Sequence, residues 1–225
     1  MTQPHPEADS LVRAATLLSF RWTTRIITEL DDNGPVLRQR GNLAATFPDI
    51  PPYLLNVALN GLCRRGLVRR ETLATDEQQL TLTEPGVALG DVYDRLGRWA
   101  RHHDYPGGQT DFVVRVEAVL GVLRDPSTAL FLLNPEAAYE ANQLARAVDA
   151  GLVHRGSSAR WELTDAGRDL RGPLAELRSW ATANAELVQA VRYLRPAPPM
   201  STVRAVAPGV AKSAALPGVA PRRSL

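Results

Sequence analysis

The sequence predicts a mainly α-helical chain with small β-hairpins, an α+β fold in which two winged helix-turn-helix modules stand in tandem. Three observations carry this expectation. A helical apolar pattern at Leu55, Leu59 and Leu62 stops at Gly66 and hands over at once to a β-type run, Leu67-Val68; glycine tolerates the left-handed backbone that ends a helix. An alternating run, Gln79-Leu80-Thr81-Leu82-Thr83, follows a polar interval and can pair with it as a hairpin around Leu73 to Gln78. The phrase Gly66-Leu67-Val68-Arg69-Arg70 then returns, 85 positions on, as Gly151-Leu152-Val153-His154-Arg155.

Taken in order, residues 1–9 are polar and proline-bearing, and Ser10 is a suitable N-cap for a helix with Leu11, Val12, Ala15 and Leu18 on one side. Phe20 to Leu30 carries Trp22, Ile26, Ile27 and Leu30 at helical spacing, and Asp31-Asp32-Asn33-Gly34-Pro35 breaks it. Leu43 to Phe47 reads as a short second helix. Pro48-Asp49-Ile50-Pro51-Pro52 is a tight turn whose prolines suit the first turn of a third helix, about Pro52 to Arg65. After the hairpin, Val87 to Asp104 reads as a long helix with Leu89, Val92, Leu96 and Trp99 on one stripe, ended by Pro106-Gly107-Gly108. A first module over 10–105 follows from these elements.

In order and spacing, Trp22-Thr23, Asn33-Gly34-Pro35, Phe47-Pro48-Asp49-Ile50-Pro51-Pro52, Leu59, Leu62, Gly66-Leu67-Val68 and Leu82-Thr83-Glu84-Pro85-Gly86 resemble the HxlR-type family of bacterial transcription regulators over most of positions 20–100. The resemblance implies a DNA-binding winged helix that dimerises through helices flanking the module. Family members often carry a sensor cysteine in the approach segment; here Arg13-Ala14-Ala15-Thr16-Leu17-Leu18 has none.

The second half reads as a degenerate copy over 110–195. Leu163-Thr164-Asp165-Ala166-Gly167 and Trp180-Ala181 repeat Leu82-Thr83-Glu84-Pro85-Gly86 and Trp99-Ala100 at an offset of 81, so the difference from 85 falls in one shorter hairpin turn at Gly156-Ser157-Ser158. Phe112 to Leu123 is a good first helix. From there the copy is short by about 9 residues, where its helix-turn-helix should be. A final helix is expected from beyond Arg168 to about Leu194, bent near Gly172-Pro173, with Leu170, Leu174, Leu177, Ala181, Val188 and Val191 as a seam near Trp180 and with Asn184 as its one polar member. The seam and the stripe at Leu89, Val92, Leu96 and Trp99 can meet within one chain or between two. Residues 196–225 are rich in Pro, Ala, Val, Gly and Ser and are expected to be a disordered tail.

Charge divides along the chain. Residues 1–105 hold 12 arginines against 13 acids and residues 106–195 hold 10 against 11, so the net charge of +2 comes from the last 30 residues, with 4 basic side chains and no acid. The body is near neutral, and any attraction to nucleic acid must come from local clustering. No apolar run approaches the roughly 20 residues that span a bilayer, and Met1-Thr2-Gln3-Pro4-His5-Pro6 lacks the regions of a signal peptide. A cytoplasmic, non-membrane protein is expected. The single cysteine, Cys63, excludes a disulfide framework.

In a winged helix the third helix enters the major groove, which makes Tyr53, Asn56, Val57 and Asn60 the base-contact candidates. Either these residues read bases or the face serves another use. Arg38, Arg40, Arg64, Arg65, Arg69 and Arg70 flank that helix and the wing and are the phosphate-contact candidates. The acidic wing tip, Thr75-Asp76-Glu77, would repel a minor groove. Adjacent His102 and His103 would point apart on a helix, and with Asp104 they show no third ligand, so no metal site and no cofactor are expected. No nucleophile motif, phosphate-cradling loop or dinucleotide fingerprint is present, and no enzyme is expected. The function expected is a DNA-binding transcriptional regulator acting on double-stranded DNA. The alternative is a module that binds protein or a small molecule without reading DNA sequence. A small-molecule effector and a homodimer stay open under either.

Overall fold

A computed structural model describes residues 6–190. The expected tail, 196–225, and the last residues of the expected final helix, Val191 among them, lie outside the described residues. No described helix is long and apolar enough to cross a membrane.

The first helix, α1, spans Pro6–Leu18 and buries Leu11, Ala14, Ala15, Leu17 and Leu18. Ser10, expected as its cap, lies inside it, because Pro6 already supplies a residue suited to a first helical turn. α2 is Thr23–Asn33 rather than Phe20 to Leu30: Trp22, just before it, has left-handed backbone (φ 69°), which a helix cannot contain. α3 is Arg40–Thr46 and α4 is Pro52–Arg64. The α4 helix ends where the Gly66 backbone turns left-handed (φ +68°), and Leu67 N–H closes on Leu62 O at 3.1 Å.

Two strands follow, β2 Val68–Thr72 and β3 Gln78–Leu82, antiparallel with Val68 opposite Leu82 and Thr72 opposite Gln78. A third strand that the sequence pattern does not announce, β1 Val36–Leu37, joins the outer side of β3, giving the order β1-β3-β2. The long helix expected over Val87 to Asp104 is divided. A short α5, Glu84–Val87, is capped by Thr83, and α6 then runs Leu89–His102.

In the second half, α7 (Phe112–Leu123) starts from an Asp111 cap whose carboxylate accepts from Val114 N–H at 2.8 Å. α8 (Pro126–Leu133) is capped in the same way by Asp125. A single 3-10 turn, Ala141–Leu144, leads into the short α9, Ala145–Asp149. β4 (Val153–Arg155) pairs with β5 (Trp161–Leu163), and α10 (Asp165–Asp169), α11 (Arg171–Ala183) and α12 (Ala185–Ala190) follow. The interruption expected near Gly172-Pro173 falls at Leu170, between α10 and α11; Pro173 itself sits in the first turn of α11, where its missing N–H has no helical acceptor to lose. A second break comes at Asn184 (φ −116°, ψ 37°), whose side-chain amide donates to Trp180 O at 2.9 Å.

Local contacts occur twice at the offsets seen in the sequence. Thr83 Oγ1 donates to Gly66 O at 2.6 Å and accepts from Gly86 N–H at 3.2 Å; Thr164 Oγ1 donates to Gly151 O at 2.7 Å and accepts from Gly167 N–H at 3.1 Å. Gly86 packs so closely on the first hairpin that an added Cβ would lie 2.2 Å from Leu67 O, and Gly167 would meet Leu152 O at the same 2.2 Å. Gly86→Ala is therefore expected to lower stability by about 3 kcal/mol or more, because a backbone carbonyl cannot swing aside as a flexible side-chain tip can. Chemical denaturation of the variant reads this directly.

One buried core joins the halves. α6 lies against α7 and α11, while α1 lies against α7, α8, α11 and α12. Leu89, Val92, Leu96 and Trp99 on α6 are buried, and so are Leu174, Leu177 and Trp180 on α11. Two indole bonds cross between the halves in opposite directions: Trp99 Nε1 donates to Ala166 O and Trp180 Nε1 donates to Pro85 O, each at 3.0 Å. Such an acceptor offsets the desolvation of a buried indole N–H. The stripe and the seam thus meet inside one chain.

Candidate nucleic-acid interface

α4 is amphipathic in a way that fixes which side chains can meet a ligand. Leu55, Leu59 and Leu62 point into the core, while Tyr53, Asn56, Val57 and Asn60, at spacings of three and four, share the opposite exposed face. Tyr53 is 69% and Val57 62% exposed, which is unusual for large apolar groups at the centre of a helix face. Asn56 Nδ2 donates to its own helix at Pro52 O, 3.1 Å. Asn60 Oδ1 accepts from Arg70, which reaches over from β2 and ties the wing to α4. A groove of about 550 Å³ opens between α3 and α4, lined in part by Arg38, Phe47, Ile50, Tyr53 and Asn56.

The arginines sort into two groups. Arg38, Arg64, Arg69 and Arg70 are exposed. Arg38 donates to Gln78 Oε1 at 2.9 Å; Arg69 donates to Thr81 Oγ1 at 3.1 Å and pairs with Glu71 at 2.7 Å; Arg64 has no hydrogen bond or ion pair among the described residues. Exposed pairs of this kind contribute little and exchange readily for a phosphate. Arg40 opens α3. Arg65 corrects the sequence expectation. It is 8% exposed, its guanidinium donates to Leu17 O at 2.8 Å, to Thr23 Oγ1 at 3.2 Å and to Gly61 O at 3.1 Å, and it lies 4.6 Å from the Phe20 ring centroid. Burial lowers its pKa to about 10, with Arg64 adding to the shift and Tyr93 opposing it. A guanidinium committed inward in this way is not available to DNA. Arg65→Ala is expected to cost about 2–3 kcal/mol of stability through the orphaned Leu17 carbonyl, and to leave the salt dependence of any DNA binding unchanged. Thermal melting and a salt series check the two halves of that expectation.

Two supports of the interface are not legible as such in the sequence. Arg25 joins Glu29 on its own helix (2.6 Å) to Asp49 in the turn before α4 (3.4 Å) and lies 5.5 Å from the Phe47 ring centroid, so it sets the angle between α2 and the turn. Only its i,i+4 partner Glu29 is a sequence signal. Gln39, just before α3, donates to Glu77 beside the wing tip and so occupies one of the two acids expected to repel DNA; Asp76 remains exposed.

This arrangement of sheet, turn and amphipathic α4 is that of a helix-turn-helix module with a wing. Residues 17–106 match the HxlR-like helix-turn-helix family. The HxlR-like segment opens in the last turn of α1, holds α2 to α6 with the three-stranded sheet, and closes at Pro106. It is a segment of transcription-regulator type, which agrees with the expected function class. No curated protein and no solved structure matches the chain.

Proposed function

We propose that the chain is a DNA-binding transcriptional regulator in which the HxlR-like segment is the reading head. The observation that carries this reading is the exposed α4 face of Tyr53, Asn56, Val57 and Asn60, flanked by Arg38, Arg64, Arg69 and Arg70. With α4 in the major groove, Asn56 or Asn60 can bond adenine and Val57 can meet a thymine methyl group, while the arginines hold phosphates on either side. Arg40 belongs to the proposed phosphate set by its place at the start of α3. Double-stranded DNA is the partner, and a cytoplasmic site of action goes with it.

We read the second half as a degenerate winged copy and the pair as an intramolecular pseudo-dimer. The doubled threonine caps, the doubled glycine approaches and the reciprocal indole bonds support this. In place of a full helix-turn-helix the second half has only α8, a 3-10 turn and α9, so one chain offers one reading head and a homodimer would be a second level of assembly. Electrophoretic titration against DNA upstream of the protein's own coding sequence, with a salt series, tests the reading. A saturable complex that resists competitor DNA and weakens linearly in log salt is expected. A complex abolished by equal non-specific competitor would favour the other reading, a module that binds protein or a small molecule, for which the exposed Tyr53 and Val57 speak.

A further inference from the structure

The end of α6 brings together side chains that the sequence leaves apart. His102 is the last residue of α6 and His103 caps it, with the backbone at φ −98°, ψ 12° and then left-handed at Asp104. On a regular helix neighbouring rings diverge by about 100°. These two rings nevertheless lie edge to face with centroids 4.7 Å apart. The third group comes from the other half of the chain. Asp169, the last residue of α10, places Oδ2 3.2 Å from His103 Nε2, and one ligand atom of each residue lies within 4.8 Å of the others. His103 is the anchored member. Its ring rests 5.3 Å from that of Trp99, and its Nε2 is buried and makes no hydrogen bond despite the nearby carboxylate.

We propose that His102, His103 and Asp169 bind one Zn²⁺. Zinc takes imidazole nitrogens at about 2.0–2.1 Å and carboxylate oxygens at about 2.0–2.2 Å, so a tetrahedral site sets its ligand atoms about 3.3 Å apart. The His103–Asp169 pair already has that spacing. His102 and Asp169 are exposed, and rotation of the His102 side chain closes the rest. Two imidazoles and one carboxylate favour zinc over magnesium or calcium, which prefer all-oxygen shells. A cleft of about 310 Å³ leaves the fourth position open to water or a small anion. The cations lining that cleft are paired elsewhere, Arg95 with Glu176 at 3.2 Å and Arg98 with Asp94 at 3.9 Å. Bound zinc would fasten the end of α6 to α10, beside the place where Trp99 meets Ala166. The inference does not depend on DNA binding.

The test uses the full chain after dialysis against a chelator, titrated with zinc chloride by calorimetry and with cobalt chloride by absorption. One equivalent of zinc, a raised melting temperature and the visible bands of four-coordinate cobalt are expected. His102→Ala and Asp169→Asn should each weaken zinc about tenfold or more, while His154→Ala, which removes a histidine 3.9 Å from Glu162, should not. Absence of saturation at one equivalent, or unchanged affinity in both ligand variants, overturns the proposal. If a variant melts early without metal, the wild-type cobalt spectrum decides alone, and missing four-coordinate bands overturn it.

Discussion

Trp99→Asp is expected to unfold the chain. The indole is 6% exposed, donates to Ala166 O at 3.0 Å, and has the His103 and Tyr105 rings at 5.3 and 5.6 Å. Substitution removes one of the larger apolar bodies of the core, leaves the Ala166 carbonyl without its donor, and puts a carboxylate into a buried position between the two halves. Truncating a buried tryptophan alone costs about 3–5 kcal/mol, and an unpaired buried charge adds several more. The sum reaches the whole stability of an ordinary domain, about 5–15 kcal/mol. Circular dichroism and light scattering distinguish the outcomes. Loss of the cooperative melt places the stripe in the chain's own core. A well-folded variant monomer from a wild-type dimer would mean that the stripe joins subunits, against the packing of α6 on α11.

The second large effect concerns DNA. Reversing Arg64, Arg69 and Arg70 to glutamate together should weaken binding by about a hundredfold or more at moderate salt, across specific and non-specific sequences alike. It should also flatten the dependence of log affinity on log salt by about 0.9 for each phosphate that the variant no longer neutralises. The three side chains are exposed, so the melting temperature should change little. Arg65 is left out of this set because its charge faces Leu17 and Thr23. Unchanged affinity and slope in the triple variant would remove the DNA reading and leave the protein- or ligand-binding one.

The parts of the fold that are legible in the sequence are those specified locally. α4 is marked by its proline start, its leucine stripe and its glycine stop, and the hairpin by a β-type run before a polar turn and an alternating one after it; α7 is legible at Phe112 to Leu123 as a run of apolar residues of helical length. β1 is not legible. Two residues cannot show a period, and they become a strand only by pairing with Leu80 and Gln79, more than forty positions away. Within the site, residue type is easier to read than residue direction. The spacing of Leu55, Leu59 and Leu62, continued by three, lands on position 65, and that extension of the buried stripe is the available sign that Arg65 turns inward. For Asp169 beside His103 there is no such sign, because the approach is set by how α10 lies against the end of α6.

The reciprocal indole bonds also bear on dilution. Two surfaces on separate subunits part company when the protein becomes scarce, and they can exchange with those of a related subunit. The surfaces of α6 and α11 are tethered through Pro106 to Gly108 and the helices between, so their effective concentration is set by the length of chain rather than by the amount of protein in the cell. Subunit mixing cannot reach that junction. At low copy number the paired arrangement around Trp99 and Trp180 is as well populated as at high.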